Sequence, residues 1–267
     1  METVRLKNIA ILILLLMNLF LLLLLGYQQL QTHRSSLLAQ QQLRSLYASH
    51  HLELEESTDL TSPSLPQLML TRSSEAEDAI AAYLLGADTE GSAQGGGITQ
   101  YEGSSGVIRF RAGGNFDSSG LSRPVADISG FAEEFFSRFG YEEPVSQITD
   151  GSGTLSATQY ADGVPVFGCG VTMHFENNVL VQISGAHISL QDAAESSSSS
   201  LSCISALVQF LDYRNASGIV CSRVDGIRCV YMLQTTTSSM RLLPAWEIET
   251  NTYHYFVDCS TGSVSRQ

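Results

Sequence analysis

The sequence predicts an α+β chain in which an N-terminal transmembrane helix precedes two helix-on-antiparallel-sheet units in tandem. Three observations carry this. Ile9 to Gly26 is an apolar run broken only by Asn18 and free of charge. Ile128, Phe131, Ala132, Phe135 and Phe139 recur at helical spacing, and Leu201, Ile204, Val208 and Leu211 do so again. The two helix starts lie about 70 residues apart and each is followed by hairpin signals, which suggests a duplicated unit.

The apolar run is about 27 Å long as a helix, close to the thickness of a bilayer core. Arg5 and Lys7 precede it and no basic residue follows until Arg34, so the positive-inside rule puts the N-terminus in the cytoplasm and the rest outside the cell membrane. A cleaved signal peptide has a shorter apolar region ending near a small-x-small site, whereas YQQLQTHR follows here. The expected division is a cytoplasmic tail over 1–8, a single span over 9–27, a stalk helix and linker over 28–72, and outer domains over 73–190 and 191–267.

A net charge of −13 repels nucleic acid and anionic lipid phosphates, which excludes both as partners of the outer part. The five cysteines form no Cys-x-x-Cys pair, so a structural zinc site is not expected, and buried free thiols are preferred to a disulfide framework. No metal, nucleotide or organic cofactor is expected.

Leu43, Leu46 and Tyr47 give the stalk an apolar stripe, which either pairs with another helix or packs on its own domain. Pro63 and Pro66 mark an extended connector. Ser74 and Glu77 form a capping box for a helix with Ala76, Ile80, Tyr83 and Leu84 on one face, stopping at Gly86. Asp88 to Gly97 reads as a flexible linker, and Ile98 to Arg111 as a hairpin turning between Gly103 and Gly106. Later hairpins turn at Asp162-Gly163, Asp225-Gly226 and Asn251-Thr252, the last pairing Ile248 with Tyr255 and Trp246 with Val257. In VTMHFENNVLVQI, matching apolar faces requires a three-residue loop, Glu176 to Asn178. The serine run within Asp192 to Ser202 reads as a hydrophilic hinge.

Several of these stretches resemble a known group. METVRLKNIAILILLLMNLFLLLL resembles the short tail and single span of the YycI and YycH regulatory proteins of Gram-positive bacteria. TQYADGVPVFGCGVTMHFENNVLVQISG is similar to the hairpin pattern of YycI and of PepSY and protease-propeptide modules, through Gln159, Asp162-Gly163, Pro165-Val166 and Gly185. LLPAWEIETNTYHYFVDCSTGSV is similar to their closing strands, through Pro244, Trp246, Tyr255, Val257, Asp258, Thr261, Gly262 and Val264. The resemblance implies a membrane-anchored, non-enzymatic accessory protein that adjusts an envelope-sensing two-component histidine kinase, with the kinase or a related accessory membrane protein as partner. It supplies no catalytic residue.

Asn18 is the candidate partner-binding residue, because an amide in hydrocarbon seeks a hydrogen bond on another helix, of the kinase or of a second copy of this chain. The alternative function is a PepSY-like extracytoplasmic binding or protease-inhibitory module whose edge strands pair with an extended peptide. An enzyme is not expected: no Gly-x-Ser-x-Gly or His-Glu-x-x-His occurs, and His174, His187 and His254 read as structural or surface residues.

Overall fold

The computed structural model describes residues 37–266 except 56, 57, 59, 62, 64, 199, 200, 237 and 238, together with Met17, Asn18 and Phe20. Helix α1 covers 37–49 and is followed by β1 (Glu53–Leu54), β2 (Pro66–Leu70) and α2 (Ser74–Leu85). Four strands come next, β3 (Glu90–Gly95), β4 (Ile98–Gly103), β5 (Gly106–Phe110) and β6 (Asn115–Ser119), then the short β7 (Arg123–Pro124) and α3 (Ile128–Phe139). The long hairpins are β8 (Tyr141–Thr149), β9 (Ser152–Ala161), β10 (Val164–Glu176) and β11 (Val179–Ala186). β12 (Ala194–Ser198) and α4 (Cys203–Ser217) lead into β13 (Arg223–Thr235), β14 (Met240–Thr250), β15 (His254–Asp258) and β16 (Val264–Arg266).

The helices start and stop where local chemistry dictates. The Asp127 carboxylate accepts from Gly130 N at 3.1 Å to cap α3, and Gly140 ends it in the left-handed conformation at φ 72°. Ser202 and Gly218 do the same for α4. The cap of α2 is Ser73, one residue before the expected Ser74, and Glu77 instead pairs with Arg72 at 2.6 Å. Three cores result. Against the β3–β11 part of the sheet, α2 and α3 bury Ile80, Leu84, Phe135 and Phe139. α4 and α1 bury Phe210, Leu211, Leu43 and Tyr47 against Trp246, Ile248 and Tyr255. A third cluster, with Val166, Cys169, Ile188, Tyr231 and Leu242, lies where the two parts meet.

This corrects the expected fold class. The described residues are 48% strand and 25% helix, and their sixteen strands form one connected sheet, curled into a half-barrel, where an α+β chain of tandem units was expected. The connecting strand is β10, which pairs with β9 and β11 along most of its length but with β13, in parallel, through Val166 and Phe167. Segments read as linkers are strands of this sheet. β1 pairs with β13, β2 with β14 and β12, and the serine-rich β12 closes that edge. Glu90–Gly95, expected to be a flexible linker, is an edge strand on β4; its residues are exposed on both faces, so no apolar alternation announces it.

The membrane placement is also corrected. Among the described residues no helix is long and apolar enough to cross a membrane. Most of Ile9 to Gly26 lies outside the described residues; Met17, Asn18 and Phe20 are helical and exposed. The single-pass topology, the cell-membrane location with an extracytoplasmic C-terminal part, and the two-component role tied to them are not carried forward. The stalk stripe is accounted for within the chain: Leu43 and Tyr47 are buried, and the Tyr47 hydroxyl donates to Leu207 O at 2.7 Å.

Two hairpin registers differ from expectation. The β10–β11 turn has two residues, Asn177 and Asn178, both left-handed, and a β-bulge between His174 and Phe175, with Val181 as the extra residue on β11, brings Met173 opposite Ile183. The bulge replaces the three-residue loop as the way to align apolar positions, and it buries Leu180 and Ile183 rather than Val179 and Val181. Asp225-Gly226 is no turn; it is a bulge inside β13, which runs on beside β14 from Val224 to Thr235. The Asn251-Thr252 turn and the pairs Ile248–Tyr255 and Trp246–Val257 are as expected. The five cysteines form no disulfide, and four of them are buried.

Gly185 shows how closely β10 and β11 approach. A Cβ there would run into the Gly170 carbonyl oxygen and stand 2.7 Å from Val171 Cα. Gly185→Ala should therefore cost about 2 kcal/mol by overpacking, read as a lower urea midpoint at unchanged slope. Unchanged stability would show that the two strands have room to part.

Candidate binding site

The site is built by the departure of β10 from its hairpin. Asp162 and Gly163, at φ 50° and 77°, make the two-residue turn from β9, which pairs Val164 with Ala161 and Pro165 with Tyr160. The register then jumps to Gly170 opposite Thr158, and the intervening residues swing toward β13. Gln159, 3% exposed, holds the jump in place. Its amide nitrogen donates to Ile188 O at 2.8 Å and lies 3.1 Å from His187 Nδ1, while its carbonyl oxygen accepts from Ile188 N and from the Cys169 thiol at 2.8 and 3.1 Å. The His187 Nδ1 is thus an acceptor, which leaves the ring's hydrogen on Nε2. Beside it the buried Tyr141 hydroxyl donates to Ala186 O at 2.8 Å. Burial sets the ionisation here: it pushes the Cys169 thiol up to about 12 and the His187 imidazole down to about 4.

The departing strand leaves a cleft of about 480 Å³ between itself and the face of β13, β14 and β15 turned away from α4. Register determines what lines it. Arg228 lies opposite Glu247, Glu247 opposite Phe256, and His254 two residues before Phe256, so all four share one face. The floor is apolar: Val230 and Phe256 are buried, and the Phe167 ring packs on Phe256 with centroids 4.2 Å apart. The wall is charged. Glu247, with 7% of its side chain exposed, accepts from Arg228 Nε at 2.7 Å and lies 2.8 Å from His254 Nδ1, whereas Arg228 and His254 are about half exposed at 53% and 50%. A carboxylate only accepts, so His254 Nδ1 carries the hydrogen and Nε2 presents a lone pair in the neutral ring. Glu143 on β8 approaches Arg228 at 3.6 Å, and burial together with a hydrogen bond to Glu143 pushes the Tyr160 phenol up to about 12.

A second concavity lies at the sheet edge. Among the described strands β8 pairs only with β9, and α3 runs beside it. Between them is a groove of about 440 Å³ lined by Ala132, Phe136, Tyr141, Pro144, Ser146 and Leu155. Val145, on the same strand, is 57% exposed.

The three histidines have separate partners. His187 meets Phe139, Tyr141 and Gln159, His254 meets Glu247, and His174 stands in the middle of β10 opposite Gln182 and Thr154. Asn18 is exposed and lies far outside this region in sequence. The cluster of Arg228, Glu247 and His254 was missed in the sequence reading. Its signal was present in the β14–β15 register, which assigns one face to Trp246, Ile248, Tyr255 and Val257 and so leaves Glu247, His254 and Phe256 together on the other.

Comparison with known proteins touches this region directly. The Fungalysin/Thermolysin Propeptide Motif matches residues 143–186, the stretch from β8 to the end of β11, too short a part of the chain to assign it to that family. No curated protein matches. A crystal structure of an uncharacterized protein from Eubacterium rectale ATCC 33656 is similar over 80% of this chain and 85% of that one, at 10% identity and a TM-score of 0.41.

His187 makes stability depend on pH. Its pKa is lower folded than unfolded, so between about 6.5 and about 4 the unfolded chain binds more protons. The stabilisation is complete above that window and is lost as pH falls through it, by about 2 kcal/mol after allowance for partial exposure. Unfolding free energy of the wild type should fall more steeply between pH 7 and 4 than that of His187→Asn, whose carboxylates titrate alike; parallel curves would show that His187 protonates freely in the folded state.

Proposed function

We propose that the chain is a non-enzymatic binding module of the protease-propeptide kind, which engages an extended segment of a partner polypeptide along β8. The observation that supports this is where the propeptide motif falls. It begins at Glu143, inside the strand whose outer edge carries no neighbour among the described residues, and ends with β11. A free edge supplies backbone donors and acceptors to an added strand, and an adjacent apolar groove supplies pockets for alternate side chains. The groove between α3 and β8 is suited to that role, with Phe136 and Leu155 at its base. One of the three stretches that resemble YycI, with Gln159 to Gly185, falls within the matched residues 143–186.

Thermolysin, as a probe of the propeptide reading, should be inhibited by the full chain when assayed on a short reporter peptide. Val145→Lys places a charge on the exposed edge and should weaken inhibition about tenfold or more while moving the unfolding free energy by less than about 0.5 kcal/mol. Inhibition undiminished by Val145→Lys would remove β8 from the interface, and absence of inhibition would remove the protease from the reading.

A further inference from the structure

We propose that the cleft between β10 and the β13–β15 face binds an N-acylated apolar amino acid, the chemistry of a peptide's C-terminal residue. This goes beyond strand addition at β8 and stands whether or not β8 has a partner. Three features of the cleft select the ligand. Its floor, Phe167, Val230 and Phe256, takes an aromatic or branched side chain. Its cation, Arg228, is held by Glu247 through Nε alone, and its contact with Glu143 at 3.6 Å is longer than a hydrogen bond and lies between two side chains about half exposed, at 53% and 56%. A ligand carboxylate therefore has guanidinium nitrogens to bind and needs only to displace Glu143, which keeps its hydrogen bond to Tyr160. The third feature is His254, whose Nδ1 is committed to Glu247, leaving Nε2 to accept from a ligand N–H.

Carboxylate, amide N–H and apolar side chain occur together on the last residue of a polypeptide and on a free N-acyl amino acid. Carboxylate-specific recognition also explains the use of a buried glutamate. With its oxygens held by Arg228 and His254, Glu247 orients the two groups, and it is buried behind them with 7% of its side chain exposed.

The test is fluorine NMR of N-acetyl-fluorophenylalanine with the full chain. Saturable line broadening is expected, with the primary amide of the same compound binding about tenfold more weakly and fluorophenylpropionate, which lacks the N–H, also weaker. Phe167→Ala should weaken binding, and the paired change Arg228→Gln with Glu247→Gln should abolish the preference for the acid over the amide without leaving a buried carboxylate unpartnered. Glu143→Gln should tighten binding several-fold, a gain that no loss of structure would produce. An unblocked-carboxylate peptide ending in fluorophenylalanine that matches or exceeds the free acid points to a polypeptide terminus; a peptide that fails where the free acid binds points to the small molecule. Equal binding of acid and amide, no broadening at millimolar ligand, or no response to Phe167→Ala and Glu143→Gln would overturn the proposal.

Discussion

Everything in this molecule depends on β10 being shared between two sets of strands. A strand can leave its hairpin partner only if the backbone groups it abandons are satisfied elsewhere, since an unpaired buried peptide group costs as much as a lost hydrogen bond. Parallel pairing of Val166 and Phe167 with β13 meets part of that need. Gln159 fixes the place of departure from the side, because one buried side-chain amide binds the Ile188 backbone, the His187 ring and the Cys169 thiol. The cleft is the space this exchange leaves behind. Its position at a seam between strands, and not inside either core, follows from the same event.

Three buried polar side chains are held by named partners: Gln159 at the seam by Ile188, Glu247 by Arg228 and His254, and Glu77 by Arg72. Glu247 differs in that its partners are themselves half exposed and line a cavity, so the buried group acts as a support for two groups that solvent or a ligand can reach.

Much of the second core was legible before any coordinates. Asn251-Thr252 has room for only one short turn, and the alternation of Trp246, Ile248, Tyr255 and Val257 then allows a single register. The helices around Phe135 and Phe210 were equally legible, because capping residues and glycines bracket the apolar period. What stayed hidden has a common physical cause. β1, β3 and β12 are short or lie at edges and carry no alternating apolar pattern, and β2 offers only Leu68 and Leu70. Bulges at Val181, facing His174 and Phe175, and at Asp225 change the parity of a strand without a turn residue to mark them. The cleft was hidden for a third reason: it depends on β10 pairing in parallel with a strand some 60 residues later, which no local period reports.

The two ends of the described chain also meet. Leu43 and Tyr47 of α1 share a core with Tyr255 and Val257 of β15, whereas the core of α2 and α3 is assembled from residues between Ile80 and Ile183. During synthesis the latter can close as soon as it clears the ribosome, while α1 must wait, its apolar stripe uncovered, until the last strands are made. Synthesis of β15, rather than of any earlier strand, is then the event that lets α1 bury its stripe.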